Sequence, residues 1–203
     1  DLDAVGAQGQ RTPFAFDEWN VWHNAFNDTH QKWHTGTIDA VFAAGMLNMF
    51  CREGRALNMP VACLFQPVNE GAIKVERHAC SLTAVGQVFA LFKVHQNGRL
   101  LPIQVAPDLS ALDLTASLSD DGKTVSVTAV NGDPLKTSAV AFEIPGVNVA
   151  SANVTELLAP AIVENGVFVQ RREELKPEDG KVSAVIGAQR IVRVQMSLDQ
   201  RVR

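Results

Sequence analysis

The chain has 203 residues, 46% hydrophobic and 20% charged, with a formal net charge of −4. That is apolar material for one large or two small domains with a real core, and it excludes a disordered chain. Acids and bases alternate without a basic cluster, which argues against nucleic acid as a partner, and no apolar stretch is long enough to span a bilayer. Cys51, Cys63 and Cys80 are an odd, sparse set and not a disulfide framework. They favour a reducing, cytoplasmic setting weakly, and localisation is otherwise unread. The sequence opens at Asp1 with no initiator Met and no charged-then-apolar leader, so a fragment or processed chain is expected.

The first element is an apolar run, Pro13-Phe14-Ala15-Phe16, read as a buried strand. It ends in Asp17-Glu18-Trp19-Asn20-Val21-Trp22, which puts a carboxylate and two indoles where a strand gives way to a loop. An indole offers a flat apolar face to a sugar ring, and Glu18 offers an oxygen that can attack or deprotonate. His23, His30 and His34 crowd the next loop around Trp33 without a regular ligand spacing, and His78 and Cys80 lack a second ligand pair. No metal and no cofactor are expected.

Ile38, Val41, Phe42, Met46, Met49 and Phe50 recur at three- and four-residue spacing and predict a helix with that stripe buried. Thr35 and Thr37 are its candidate N-caps, Asp39 suits the positive end of its dipole, and Gly54 falls near its end. Pro60-Val61-Ala62-Cys63-Leu64-Phe65 does not alternate, which predicts a strand covered on both faces with Cys63 as a small buried hydrophobe. Leu82, Val85, Phe89 and Phe92 then mark one side of a second helix. Strand, helix, strand, helix is the order of βα units.

Beyond Asn97-Gly98 the period changes to two. Leu112, Leu114, Ala116 and Leu118 alternate with polar residues, Asp120-Asp121-Gly122 is a turn, and Val125, Val127 and Ala129 alternate in the next strand. Asn131-Gly132-Asp133-Pro134 is another turn, followed by Val140, Phe142 and Ile144. Further strands are expected over 152–158, 167–169, 182–186 and 191–196, while 171–179, rich in both charge signs, reads as solvated surface. Short strands with regular turns predict an antiparallel sandwich. The fold class expected is therefore α/β plus all-β, with βα units in 1–95 and a β-sandwich in 96–203. Two βα units do not complete a sheet. The remaining strands are expected from a missing N-terminal segment, another chain or self-association.

Phe16-Asp17-Glu18-Trp19-Asn20-Val21-Trp22, then Asp39-Ala40, Leu47-Asn48 and Ala62-Cys63-Leu64-Phe65-Gln66-Pro67-Val68-Asn69 closely resemble the C-terminal part of glycoside hydrolase family 51, mainly α-L-arabinofuranosidases. The resemblance is strongest before residue 95 and looser in the sandwich, where it rests on an Ala-Ser-Leu-Ser strand, Val130-Asn131 and the closing strand from Arg190 to Met196. It implies a (β/α)8 barrel with Glu18 as nucleophile at the end of the seventh strand, and residues 59–69 as the eighth strand and its loop. It also implies a subsite wall that includes Trp22 and Gln66 around an arabinofuranosyl ring.

A retaining glycosidase needs an ionised nucleophile with hydrogen-bond donors near it, and a separate carboxyl acid about 5–5.5 Å away. Asn20, Gln66 and Asn69 are candidate donors, and Trp33 a candidate stacking face. The family's acid/base is a glutamate of an Asn-Glu pair on an earlier strand, and no Glu precedes Glu18 here. Asn69-Glu70 has the right letters in the wrong place: it follows the eighth strand and reads as a loop carboxylate near the barrel rim, with a part in shaping the mouth as the lesser alternative. The 203-residue chain alone is therefore expected to be inactive, with arabinofuranosyl saccharides as the partner of the complete protein. Two other readings stand beside this one: a non-catalytic sandwich that binds carbohydrate or supports another chain, and a different retaining glycosidase of the same barrel clan.

Overall fold

The computed structural model describes residues 12–21, 36–158 and 168–202. The first strand, β1 (Ala15–Trp19), runs parallel to β2 (Val61–Leu64), and helix α1 (Thr37–Glu53) lies between them in sequence. Parallel strands require such a crossover. After β2 comes a hairpin, β3 (Ile73–Glu76) and β4 (Ala79–Leu82), then helix α2 (Ala84–Phe92) and a single 3-10 turn, Lys93–His95.

Apart from a 3-10 turn at Pro107–Leu109, the regular elements of the second half are strands: β5 (Arg99–Leu101), β6 (Leu112–Leu118), β7 (Thr124–Asn131), β8 (Ser138–Glu143), β9 (Val149–Leu158), β10 (Val169–Leu175), β11 (Lys181–Ile186) and β12 (Arg190–Leu198). Six of these form one sheet in the order β10-β9-β12-β7-β6-β5, and β11 pairs with β8 to form a second. All pairings within them are antiparallel. Leu114, Ala116, Val127, Ala129, Val192, Val194 and Met196 from the large sheet pack with Val140, Val182, Ala184 and Ile186 from the small one, which is the expected sandwich core. The charged stretch after 168 is itself strand β10, exposed along almost its whole length because it edges the sheet.

The other face of the large sheet is polar by sequence, yet it is not wet. Thr115 and Thr128 are completely buried, and Ser117, Ser126 and Thr155 nearly so. Helices α1 and α2 lie across that face and seal it with Ala40, Ala44, Ala84, Val88 and Leu91 against Val130, Leu157 and Ile191. On their far side the same helices carry β1 and β2 through Ala43, Val85, Phe50 and Phe89. The order of layers is parallel strand pair, helix pair, large sheet, small sheet.

This layering corrects four expectations. The buried face of α1 is Ala40, Ala43, Ala44 and Asn48, while Ile38 is 59% exposed and Phe42 42%. Small side chains let the helix sit close to sheet and helix at once, and no described element covers the Ile38–Phe42 side. The N-cap is Gly36 rather than Thr37, which is the first helical residue; Asp39 Oδ2 accepts the Gly36 N–H at 2.8 Å. The strand over 61–64 is covered on one face only, so Cys63 is exposed and not buried, while Ala62 and Leu64 face the helices. Leu82 belongs to β4, and α2 begins after Thr83, whose Oγ1 accepts the Gly86 N–H at 3.1 Å.

Where polar sheet meets helix, hydrogen bonds replace water. Asn48 donates Nδ2 to the Asp113 carbonyl at 3.0 Å and accepts the Thr128 hydroxyl on Oδ1 at 2.7 Å, and its own carbonyl accepts Thr115 Oγ1 at 3.1 Å. Arg52 pairs with Asp113 and donates to the Leu114 carbonyl at 2.8 Å. His95 lies 2.7 Å from Ser117 Oγ through Nδ1 and 3.0 Å from Thr128 Oγ1 through Nε2. The Thr128 proton is already spent on Asn48, so Thr128 accepts from His95, which assigns the Nε2–H tautomer and makes Nδ1 the acceptor for Ser117. Further along α2, Gln87 donates to the Phe168 carbonyl at 3.0 Å and accepts its N–H at 2.7 Å.

Burial, with the Arg193 cation second, lowers the His95 pKa from 6.5 to about 4. A folded-state value below the unfolded one means that the unfolded chain binds the proton first as pH falls. The contribution is fully present above pH 6.5 and is lost toward pH 4, by at most about 3 kcal/mol. Unfolding free energy measured across that range should fall in the wild type, and the His95 share of that fall should be missing in His95→Asn. A second test concerns packing: a Cβ on Gly86 would lie 2.0 Å from the Ala72 carbonyl oxygen, whereas one on Gly132 would meet nothing within 4 Å. Gly86→Ala should lower the denaturation midpoint, costing about 1–3 kcal/mol, and Gly132→Ala should leave it within about 0.5 kcal/mol.

Candidate functional site

The ends of β1 and β2 meet at one edge of the helix layer. Trp19 is 3% exposed, stacks on Phe89 (centroids 5.9 Å, planes 18° apart) and meets Phe50 edge-on at 5.3 Å. Its neighbour Glu18 is exposed, as are Ala15, Phe16 and Asp17 before it, and the register of β1 with β2 shifts between Phe16 and Trp19. The indole acts as the anchor and the carboxylate as the group it presents.

Beside Glu18 the chain passes from β2 into a tight loop. The Phe65 N–H donates to the Trp19 carbonyl at 3.0 Å, and the Phe65–Gln66 peptide is cis. Asn20 spends both amide protons here: one goes to the Phe65 carbonyl at 2.8 Å, the other to the Glu70 carbonyl at 3.0 Å. Its Oδ1 accepts the Val21 N–H at 2.8 Å. Asn20 is thus a strut between the two strand ends, and donating to Glu18 or to a ligand would cost it one of those bonds.

Gln66 is exposed, and its Nε2 donates to Glu70 Oε1 at 2.7 Å. Asn69 adopts φ 62, and its Oδ1 accepts the Val75 N–H at 2.7 Å, so its carbonyl side serves the loop and leaves Nδ2 as its donor for other groups. The loop is fixed at its base by the Thr83 hydroxyl on the Gly71 carbonyl at 2.5 Å and the Thr83 N–H on the Ala72 carbonyl at 3.0 Å. The structure therefore brings Glu18, Asn20, Gln66, Asn69 and Glu70 to one edge. Trp22, Trp33, His23, His30 and His34 lie outside the described residues. The Gln66–Glu70 contact had no signal in the sequence, because a four-residue spacing brings side chains together in a helix, and here it spans a loop.

The sandwich offers a different concavity, a groove of about 770 Å³ lined by Ala139, Val154, Glu156, Arg171, Glu173 and Arg190 among others. No aromatic side chain lines it, and its charges pair internally, Arg190 with Glu156 at 3.3 Å and Arg171 with Glu173 at 2.9 Å. It lacks the flat apolar platform a sugar ring would stack on. Among the described residues no three His, Cys, Asp or Glu side chains cluster as metal ligands, and no helix is long and apolar enough to cross a membrane.

Glu18 is thus an exposed carboxylate at the end of a parallel strand, with amides beside the next strand end and a sandwich behind the helices. The alpha-L-arabinofuranosidase C-terminal domain family matches residues 17–196, and the chain belongs to that family. Solved structures agree in fold. A family 51 arabinofuranosidase from Xanthomonas axonopodis pv. citri superposes with a TM-score of 0.72 at 21% identity, over 89% of this chain and 40% of that one. The α-L-arabinofuranosidase of Thermotoga maritima, solved as an arabinose complex, gives 0.71 at 22%, over 92% and 43%. A family 30 subfamily 8 xylanase from Clostridium acetobutylicum gives 0.60 at 11%, over 91% and 42%. The chain thus spans about two fifths of the length of these structures. No curated protein sequence matches it.

Replacing Asn20 with Ala removes both cross-links between the strand ends. Hydrogen exchange at the amides of 65–75 should speed up, and stability should drop by about 1–3 kcal/mol, because two carbonyls lose their donor. Unchanged protection would mean that the loop is held without Asn20.

Proposed function

We propose that this chain supplies the nucleophile half of a retaining α-L-arabinofuranosidase, with Glu18 as the nucleophile and arabinofuranosyl residues of polysaccharides or oligosaccharides as substrate. The observation that carries the reading is the exposed position of Glu18, beside the buried Trp19 at a strand end that β2 and its loop flank. Membership of the arabinofuranosidase C-terminal domain family supports the substrate class. On this reading residues 1–95 are the last βα units of a (β/α)8 barrel, 96–203 are its C-terminal sandwich, and Glu18 sits at the C-terminal end of its strand, where such barrels hold their chemistry. The rest of the barrel covers the apolar side chains left exposed on β2 and α1, Val61, Phe65, Ile38 and Phe42.

The chemistry runs in two displacements. A Glu18 oxygen attacks the anomeric carbon as the bond to the leaving oxygen breaks, and a carboxylic acid from the remainder of the protein protonates that oxygen, about 5–5.5 Å away. The same group, now a base, takes a proton from water, which attacks the glycosyl ester and frees Glu18. Gln66 and the Nδ2 of Asn69 are the amides available to bond the sugar, with Trp22 and Trp33 as the stacking faces. No metal or other cofactor enters this sequence of steps.

In the full-length protein, Glu18→Gln should lower turnover of an aryl α-L-arabinofuranoside by ~10³-fold or more, equal to about 4 kcal/mol of barrier. A mechanism-based furanoside inhibitor should esterify Glu18, as read by peptide mass spectrometry. A label on another residue, or faster hydrolysis of the matching aryl xyloside, would overturn the assignment in favour of a different residue or a different glycosidase of the clan. Sugar binding confined to the sandwich and indifferent to Glu18 would overturn it in favour of a binding module.

A further inference from the structure

Glu70 is a carboxylate at this edge to which the reaction assigns no task, yet it holds a specific bond. From the 2.7 Å contact between Gln66 Nε2 and Glu70 Oε1, we infer that Glu70 is a positioning residue that sets the Gln66 amide to accept a hydrogen bond from a sugar hydroxyl. The inference rests on the glycosidase reading and deepens it by naming what the Gln66 end of the subsite reads.

A glutamine at a strand end can present either its oxygen or its nitrogen, since a half turn about the last torsion exchanges them. An ionised carboxylate only accepts, so a neighbouring carboxylate fixes the choice: nitrogen toward Glu70, Oε1 away from it. The bond also polarises the amide, because donating to an anion shifts electron density onto the amide oxygen and strengthens it as an acceptor. A sugar hydroxyl, which can donate, satisfies that oxygen; the furanose ring oxygen, which only accepts, does not.

Glu70 is in turn held in place. Its carbonyl accepts from Asn20, the strut that also ties down Phe65, and the two glycosidic strand ends therefore share one amide. The loop turns tightly beneath it: a Cβ on Gly71 would come within 2.9 Å of the Gln66 carbonyl oxygen. Backbone and side chain of Glu70 thus serve the same end, which is to keep Gln66 in one orientation.

The test compares Glu70→Ala and Glu70→Gln in the full-length protein on an aryl α-L-arabinofuranoside and its monodeoxy analogues. Glu70→Ala should raise KM by ~5- to 10-fold, the worth of one such hydrogen bond, with kcat within about twofold. Glu70→Gln retains an accepting oxygen but loses the charge and can itself donate, so it should recover only part of that loss. One monodeoxy substrate should be discriminated against by the wild type and much less so by Glu70→Ala. Should Glu70→Ala misfold, Glu70→Gln and the side-chain amide resonances of Gln66 report the same bond. The inference is overturned if Glu70→Ala leaves KM unchanged, if Glu70→Gln is no better than Ala, or if kcat falls as far as in Glu18→Gln, which would make Glu70 a catalytic group. Loss of activity in Glu18→Gln with an indifferent Glu70→Ala removes only this inference; full activity in Glu18→Gln removes the glycosidase reading beneath it.

Discussion

The constraint on which this architecture rests is a polar sheet face that has to be dry. The large sheet turns Thr115, Ser117, Ser126 and Thr128 toward the helices, and burying hydroxyls without partners costs on the order of 1–3 kcal/mol each by mutational measure. Helix α1 and the turn after α2 meet that demand with side chains that are themselves polar: Asn48, Arg52 and His95. Asn48 is placed by helical geometry one turn from Ala44, which permits the close approach. Apolar residues in place of Asn48 or His95 would strand hydroxyls and carbonyls in a dry interface, and larger residues in place of Ala40 or Ala44 would push the helix away from them. Polar satisfaction and tight packing here depend on each other.

From that interface the rigidity passes to the site. The sheet fixes the helices, and the helices hold Trp19 between Phe50 and Phe89. Trp19 in turn fixes the orientation of Glu18. A group that must meet a reacting carbon within a fraction of an ångström is better borne by a packed strand end than by a free loop. The loop that faces it is the less rigid partner, and it is tied at both ends by side chains, by Asn20 to the β1 terminus and by Thr83 to the start of α2.

Much of the fold was legible in the sequence because two periods are hard to confuse. Alternation in β6 and β7 gave both the strands and their core faces, since Leu114 and Val127 could only pack inward. What alternation does not say is whether the polar face meets water, and the buried Thr115 and Thr128 show that it need not. The stripe of Ile38 and Phe42 misled for a related reason: hydrophobicity marks a face that wants cover, and the closest contacts of α1 went instead to alanines, which carry little hydrophobic signal. The β3–β4 hairpin was missed because Arg77 and His78 form its two-residue turn without the Asn-Gly or Asp-Gly pair that usually announces one.

The site divided along the same line. Glu18 and Gln66 could be singled out because the chemistry of a carboxylate or an amide at a strand end is visible from the residue and its place. Asn20 was a candidate donor to the site because an amide has the same letters whether it bonds a ligand or a backbone, and only coordinates tell how its protons are used. Both of Asn20's are spent on carbonyls. That reassignment makes the edge more coherent as a binding surface, because a donor spent on the scaffold is what fixes the distance between the strand that carries the carboxylate and the loop that carries the amide. On the proposed reading, a ligand here would meet geometry held in advance, and the entropy of ordering the loop is met during folding rather than on binding.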